Sequence, residues 1–193
     1  MKEFRASYST LSTWARGDFD LALAMFFKRS DFDTPAMAFG REMHELWERE
    51  TNQTGSLPAV FGGRKLAPGF KTEIFASRQL APWLILRGKL DLLEVIDAGH
   101  DYKTGITPST QYSNGFQHKV YHVLYPHLKT FTYHAFNQYS KKVTVSIVHL
   151  TPKTLSDGVE FVVTQASEMK NYIEVNNLEQ VFAELPPVER VKT

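Results

Sequence analysis

The sequence contains no cysteine, and this absence removes several classes of site at once. Disulfide bonds, thiolate-held zinc and cysteine-ligated iron–sulfur clusters all require the thiol side chain. Ordinary packing must therefore close the fold, without a covalent or metal-thiolate staple.

Long apolar runs are missing too. No apolar stretch approaches the length that crosses a bilayer, and the first residues, Met1 to Arg5, lack a signal-peptide pattern. We therefore expect a soluble protein in the cytoplasm, with no membrane partner.

A strong excess of charge of either sign is absent as well. The formal net charge is only +1, so the field of the whole molecule does not indicate nucleic-acid binding. A locally basic groove is still compatible with this balance, although each basic side chain is by default a solvated surface charge. The basic residues that could contribute are Arg64, Lys65, Arg87, Lys89, Lys119, Lys129, Lys141 and Lys142.

The chain has room for one domain with a sizeable core. Its 193 residues, 42% of them hydrophobic and 22% charged, are ordinary for a soluble globular protein. Segments with helical and strand patterns alternate along the chain, which predicts an α/β fold. We expect a mixed central sheet of about four or five strands, flanked by helices, within a single domain over residues 1–193.

Start signals place the first helices. Ser9 or Ser12 is predicted to cap a short helix, and the apolar run over residues 21–27 predicts another. Thr34 followed by Pro35 predicts the start of a longer helix over residues 36–50. A loop over residues 51–69, rich in glycine, proline, threonine and asparagine, should follow it.

The remaining chain reads as strands and two further helices. We predict strands over residues 70–77, 83–96, 100–104, 131–136 and 143–150, with a turn at Asp97–Gly99. Residues 159–164 are a candidate for a further strand, which would pair back across Ser156–Gly158. Helices are predicted over residues 109–125 and 167–185.

Two aspartates and a lysine in the predicted hairpin are the first candidates for a functional site. Side chains two apart in a strand share a face, so Asp101 and Lys103 should project together, with Tyr102 on the opposite face. A hairpin would bring Asp91 close to them. Taken singly, Asp101 would be interpreted as a turn residue, Lys103 as a solvated strand lysine and Asp91 as a strand-end aspartate. Together they predict a divalent-metal site with a cationic partner.

Four residues outside the hairpin extend the pattern. His44 shares a helix face with Gly40 and Trp47, where it is either a core histidine bonded to a carbonyl or a metal ligand. Glu73 lies on the strand before the hairpin. Gln117 and Tyr121 are four residues apart and therefore neighbours on a helix face.

Five elements in this order resemble the PD-(D/E)xK nucleases, in particular the RecB-like branch that includes the RecB and AddB nuclease domains and the CRISPR-associated exonucleases. The elements are Gly40-x-x-x-His44, Glu73, Gly88-x-x-Asp91, Asp101-x-Lys103 and Gln117-x-x-x-Tyr121. The resemblance covers about residues 9–125, most of the chain, with the motif-bearing core at about residues 36–125. The sequence departs from the branch in lacking the four cluster cysteines and in placing Gly99 and His100 before the second aspartate.

The resemblance implies a restriction-endonuclease-like core and a metal-dependent DNA nuclease. His44, Asp91, Asp101 and the Tyr102 carbonyl would hold one or two Mg²⁺ or Mn²⁺ ions, and Glu73 would lie near the metal. Lys103 would orient a water molecule or balance charge on the phosphorus.

The resemblance also implies partners and a biological role. Gln117 and Tyr121 would contact the DNA backbone or a catalytic group. Relatives of this size suggest an exonuclease acting on single strands or DNA ends in repair, recombination or processing, with a helicase or other recombination protein as a partner.

Two other interpretations stay open. The chain could be a nuclease-like domain that binds nucleic acid or a protein without cleaving, which a missing carboxylate or lysine would favour. It could also be a protein without nucleic-acid function whose motif is coincidental, as the near-neutral charge would allow.

Overall fold

The computed structural model describes residues 3–28, 34–95 and 97–184. Its helices are α1 (Tyr8–Ala15), α2 (Phe19–Phe26), α3 (Pro35–Thr54), α4 (Ser109–Ser113), α5 (Gln117–Leu124), α6 (Pro152–Val175) and α7 (Leu178–Glu184). Its strands are β1 (Phe4–Ser7), β2 (Lys71–Ala81), β3 (Leu84–Glu94), β4 (Ala98–Thr104), β5 (Thr130–Phe136) and β6 (Val143–His149).

All six strands join one mixed sheet with β3 at its centre. β2 pairs antiparallel along one edge of β3. The other edge is shared: β1 pairs parallel with residues 84–87, and β4 pairs antiparallel with residues 92–94. β5 runs parallel to β4, and β6 runs antiparallel to β5. Residues 88–91 of β3 therefore lie in a fork between β1 and β4, without a described strand on that edge.

The main core lies between one face of the sheet and the helices α5 and α6. The strand residues Leu84, Leu86 and Leu90 are fully buried there. Helix α6 contributes Val162 and Met169, which are also fully buried. Burial of each such side chain contributes roughly 1.5–3 kcal/mol relative to leaving it in water.

A second core covers β4 on the other side. Helix α3 and the chain after it bury Trp47 and Phe61 against Tyr102. The Trp47 and Tyr102 ring centroids are 5.6 Å apart, and those of Phe61 and Tyr102 are 5.2 Å apart with nearly parallel planes. Aromatic pairs at such separations add to the area that they bury. Tyr102 thus fixes β4 against α3.

Side-chain caps define the helix starts. Thr34 accepts a hydrogen bond from Met37 N, with Pro35 at the first helical position, as predicted. The predicted caps of α1 are wrong: Ser7, not Ser9 or Ser12, accepts the bond from Thr10 N. The helix begins earlier because the residues before it form β1, which the sequence analysis did not predict and which raises the strand number to six.

The predicted turn at Asp97–Gly99 is also wrong at its end. β4 already begins at Ala98, so the hairpin turns earlier, and residue 96, the predicted last residue of the preceding strand, lies outside the described residues. Gly99 pairs with Leu93 and Phe131 inside the sheet. A Cβ there would lie 3.2 Å from Leu128 Cδ1 and 3.3 Å from a Phe131 ring carbon, so the glycine allows close packing within the strand.

Two helix boundaries differ from the prediction as well. α3 continues to Thr54, into the predicted loop, and ends at Gly55 in the left-handed conformation. The predicted helix over residues 109–125 is divided into α4 and α5.

The predicted strand over residues 159–164 is wrong, because that segment lies inside α6. Its β-branched residues favour a strand locally, but the buried residues Val162, Ala166 and Met169 recur at helical spacing. Thr151 and Thr154 form a reciprocal capping box that starts the helix well upstream. The predicted helix over residues 167–185 is the second half of α6 together with α7; residue 185 is outside the described part.

None of the described helices is both long and apolar enough to cross a membrane.

Substitution Gly158→Ala tests the packing of α6 on α5. A Cβ at Gly158 would lie 2.3 Å from the backbone oxygen of Lys119, which cannot move aside as a flexible side chain could. In an open helix the same change would stabilise by about 1 kcal/mol. Here we expect overpacking to lower the free energy of unfolding by roughly 1–3 kcal/mol, measured by denaturant titration.

Ser156→Ala, at an exposed position of the same helix, is the matched control and should change stability little. An increase in the stability of Gly158→Ala would contradict the close approach of the two helices.

Candidate metal centre

The fork in the sheet brings the two predicted aspartates together. Asp91 lies in β3 where that strand has no described neighbour on one edge. Its Oδ2 accepts a hydrogen bond of 2.7 Å from the backbone N–H of Tyr102. The Asp91 carboxylate thus links β3 to β4 just beyond the last backbone pair of the two strands, Leu92 with His100. The hairpin confirms the predicted proximity of the two segments.

Helix α3 places His44 over Asp91. His44 Nδ1 lies 3.5 Å from Asp91 Oδ2. The helix can come this close because residue 40 is glycine: a Cβ there would lie 3.0 Å from Thr104 Oγ1 of β4. Gly40 therefore allows α3 to approach β4 closely, and this approach brings His44 next to Asp91.

Glu73 completes a cluster of three potential ligands. One donor atom from each of His44, Glu73 and Asp91 lies within 4.8 Å of the other two. Glu73 has a φ of 50°, in the left-handed region, although it is the third residue of strand β2. A non-glycine residue there stores roughly 1–3 kcal/mol of backbone strain, and such strain concentrates at functional sites.

Asp101 lies beside this group but is held by different partners. Its side chain is buried, with Oδ1 accepting a 2.8 Å hydrogen bond from Gln117 Nε2. Oδ2 lies 2.8 Å from Lys103 Nζ, yet it makes no well-aligned hydrogen bond to any described residue. As predicted, Asp101 and Lys103 project together, while Tyr102 points into the second core.

Burial and charge move the ionisation of these groups in opposite directions. Burial raises the pKa of Asp101 to about 6, and the nearby Asp91 carboxylate adds to the shift. Burial would raise the pKa of Asp91 too, but the hydrogen bond and charge of His44 outweigh it and hold that pKa below its ordinary value. The carboxylate of Asp91 in turn overcomes burial and raises the pKa of His44.

The donor set fits a divalent cation. Carboxylate oxygens suit Mg²⁺ and Mn²⁺, and an imidazole nitrogen shifts the preference toward Mn²⁺. Asp101 Oδ2 is a buried atom whose charge is met by the Lys103 ammonium at 2.8 Å, and a divalent cation would offset the cost of its burial further. His44, Glu73 and Asp91 could hold such an ion beside Asp101.

An open cavity of about 310 Å³ leads to the cluster. Its lining includes three residues that the sequence analysis did not single out, Arg41, Glu45 and Glu48. Arg41 and Glu48 are three and four residues from His44 along α3, and Glu45 is four residues from Arg41. Helical spacing from His44, and then from Arg41, could therefore have identified them.

Helix α5 supports the site from the opposite face. Tyr121 donates a hydrogen bond from its hydroxyl to the backbone oxygen of Lys89. Gly88 allows this contact, because a Cβ at that position would lie 2.5 Å from Leu124 Cδ1 and 3.5 Å from a Tyr121 ring carbon. Of the two alternatives for Gln117, the structure shows contact with a candidate catalytic group, Asp101. Contact of either residue with DNA stays a prediction.

Four of the eight basic residues considered above are neutralised by a carboxylate. The ion pairs are Arg64–Glu94, Lys89–Glu73, Lys119–Asp157 and Lys129–Asp97. Arg87 differs, since it makes no ion pair to a described residue and its buried Nε has no hydrogen-bond partner there. The sequence offered no signal for this difference, because partners across strands and helices are not visible in it.

Comparisons with known proteins show the fold. Neither models of protein families nor curated protein sequences match this chain. Solved structures do: a putative exonuclease from Eubacterium rectale is 15% identical, with a TM-score of 0.59 over 88% of this chain and 82% of that one. An alkaline exonuclease from Laribacter hongkongensis is 8% identical, with a TM-score of 0.56 over 93% and 95%.

A phage-related exonuclease from Haemophilus somnus 129PT is also similar, at 12% identity and a TM-score of 0.51 over 86% of this chain and 82% of that one. At such identities the likeness establishes architecture alone. The chain shares with these solved structures a mixed sheet flanked by helices, which confirms the predicted α/β class and is consistent with the predicted restriction-endonuclease-like core.

Thermal stability should report metal binding. A cation that binds only the folded state raises its stability by about 2.7 kcal/mol at a hundredfold excess over Kd. We expect Mn²⁺ to raise the melting temperature at pH 7.5. The shift should shrink as pH falls, because protons compete first for His44, whose pKa is raised above its ordinary value, and then for Asp101, whose pKa is about 6.

Asp91→Asn should abolish the Mn²⁺ shift, while Glu168→Gln, at an exposed position of α6, should retain it. Equal shifts at pH 5 and pH 7.5, or in wild type and Asp91→Asn, would contradict the assignment of the centre.

Proposed function

We propose that this protein is a metal-dependent nuclease that hydrolyses phosphodiester bonds in DNA. The observation that carries the proposal is the meeting of His44, Glu73 and Asp91 at the fork, with Asp101 and Lys103 beside them. The fold supports it, since the solved structures with this architecture include exonucleases.

His44, Asp91 and Asp101, with the Tyr102 carbonyl, would hold one or two Mg²⁺ or Mn²⁺ ions, and Glu73 would act as a further carboxylate near the metal. When bound, the ion would stabilise negative charge on the scissile phosphate and lower the pKa of a water molecule. The Tyr102 N–H bond fixes the Asp91 carboxylate in place before any substrate arrives.

Lys103 supplies the cation of the site. Burial acts to lower its pKa, but the charges of Asp101 and Asp91 outweigh burial and raise it, so the ammonium form persists at neutral pH. A fixed ammonium in this position either orients the attacking water or balances charge that develops on the phosphorus. Both roles require the side chain to stay beside Asp101.

DNA single strands or ends are the proposed substrate, cleaved from an end in DNA repair, recombination or processing. Support comes from the neighbours: the alkaline exonuclease from Laribacter hongkongensis is also known in complex with dAMP, a deoxynucleotide. Neither the described residues nor the comparisons support a helicase partner, and the proposal includes none.

The competing function is a nuclease-like domain that binds without cleaving. Loss of a carboxylate or of the lysine would favour it, but His44, Asp91, Asp101 and Lys103 are all present and close together. A coincidental motif in an unrelated protein is disfavoured by the fold itself.

Cleavage of end-labelled DNA tests the proposal. Single- and double-stranded substrates are incubated with Mg²⁺, Mn²⁺ or EDTA, and the product ladder separates cleavage from an end from internal cleavage. We expect cutting only with metal. Lys103→Ala and Asp101→Ala should each lower the rate by about 100-fold or more, the usual scale for loss of a charged catalytic group.

Lys142→Ala, an exposed lysine outside the centre, serves as the matched control and should cleave like wild type. Thermal melts would verify that each variant is folded. Failure of folded wild-type protein with metal to cut any substrate would overturn the proposal in favour of the binding-only domain.

A further inference from the structure

The described residues cover one face of the sheet over β4 but leave it open over β1, β2 and β3. Alternation along β3 turns Arg87 and Lys89 toward the same face as Asp91, whereas Leu86 and Leu90 face the main core. Helices α5 and α6 pack on that core side. Helix α3 packs over β4 and the start of β2, and leaves the rest of its own side uncovered.

The neighbouring strands add residues to this uncovered surface. In the sheet register Phe75 of β2 lies opposite Lys89, and Arg5 of β1 lies beside Ile85. Facing residues in adjacent strands point the same way. We call this surface the open face, formed by Arg5, Phe75, Ser77, Gln79, Arg87 and Lys89.

The open face is continuous with the metal centre. Lys89 is two residues from Asp91 on the same strand face, and both line the 310 Å³ cavity together with Glu73. Arg87 is two residues further along the strand. A polymer that places one unit at the metal centre can therefore extend over Lys89 and Arg87 without leaving the sheet.

Charge on the open face suits a polyanion. Arg5 pairs with Glu3, and Lys89 pairs with Glu73. Arg87 makes no such pair among the described residues, and its buried Nε lacks a hydrogen-bond partner there. Arg87 lines two cavities, of about 400 and 200 Å³. Its guanidinium therefore has no described ionic partner and has open space nearby, and phosphate is a ligand that fits its fork of N–H groups.

Phe75 is the one aromatic member of the set. Its side chain is 62% exposed on a strand whose neighbouring open-face residues, Ser77 and Gln79, are polar and exposed. Core packing does not account for an aromatic ring in this position. An exposed ring beside cations is the combination that binds single-stranded nucleic acid, since unpaired bases stack on the ring and phosphates meet the cations.

We propose that the open face binds the DNA strand that enters the metal centre. Phe75 stacks on an unpaired base, while Arg87 and Lys89 contact the backbone phosphates of the same strand. The inference rests on the proposed nuclease function and assigns it a single-stranded substrate, because a base within a duplex cannot lay its face on the Phe75 ring.

Binding without cleavage tests the aromatic contact. Fluorescence anisotropy with an end-labelled oligo-dT strand, in EDTA, measures affinity independently of catalysis. We expect Phe75→Ala to weaken binding roughly 5- to 100-fold, the range for loss of one base stacked on an aromatic ring. Phe75→Trp should retain affinity. Ile147→Ala, which removes an exposed apolar side chain from β6, should have no effect.

Salt dependence tests the phosphate contact. Loss of one contact to single-stranded DNA reduces the slope of log K against log salt by about 0.7. Arg87→Gln should show this reduction, while Lys142→Gln, at an exposed lysine away from the open face, should not. Thermal melts would again establish that the variants are folded.

Unchanged affinity in both Phe75→Ala and Arg87→Gln would overturn the inference, as would equal affinity of wild type for single strands and for the matching duplex, or no binding of DNA by wild type. Metal-dependent cleavage that persists in that case would leave the nuclease proposal standing. Binding that depends on Phe75 and Arg87 without any cleavage would instead support the open face and overturn the nuclease proposal.

Discussion

The structure depends on the fork in which residues 88–91 of β3 run between β1 and β4. Buried backbone groups need hydrogen-bond partners, and here side chains provide part of them. The hydroxyl of Tyr121 bonds the Lys89 carbonyl, and the carboxylate of Asp91 bonds the Tyr102 N–H. The residues of the candidate site therefore also hold the sheet together at its weakest point, so that site geometry and fold stability are coupled.

Burying this much charge has a cost that the surroundings only partly offset. The pKa of Asp101 rises to about 6 because its carboxylate is buried. A carboxyl whose pKa is higher in the folded than in the unfolded state takes up protons on folding, so it favours the folded state less as pH rises from about 4 to about 6. A divalent cation would reverse that penalty. The site is thus arranged for a positive ligand rather than for the stability of the protein alone.

Much of the site was accessible to sequence reasoning because its signals are local. Spacing along one helix put Gly40 and His44 on a common face, and spacing along one strand put Asp101 and Lys103 together. The order of the five motif elements then predicted the fold, which the solved structures confirm. The errors were of the same local kind: the β-branched residues 159–164 favour a strand, but the Thr151 cap and the packing of Gly158 on α5 keep them helical.

The sequence by itself thus determined the helix that carries His44, the hairpin that joins Asp91 to Asp101, and the exclusion of any cysteine-based centre. Only the tertiary structure decided that Glu73 groups with His44 and Asp91, that Gln117 bonds Asp101, and that Arg87 has no ion pair among the described residues. The physical reason is the range of the interactions. Periodicity and capping act over a few residues, whereas ion pairs and strand pairing join segments whose separation along the chain carries no signal.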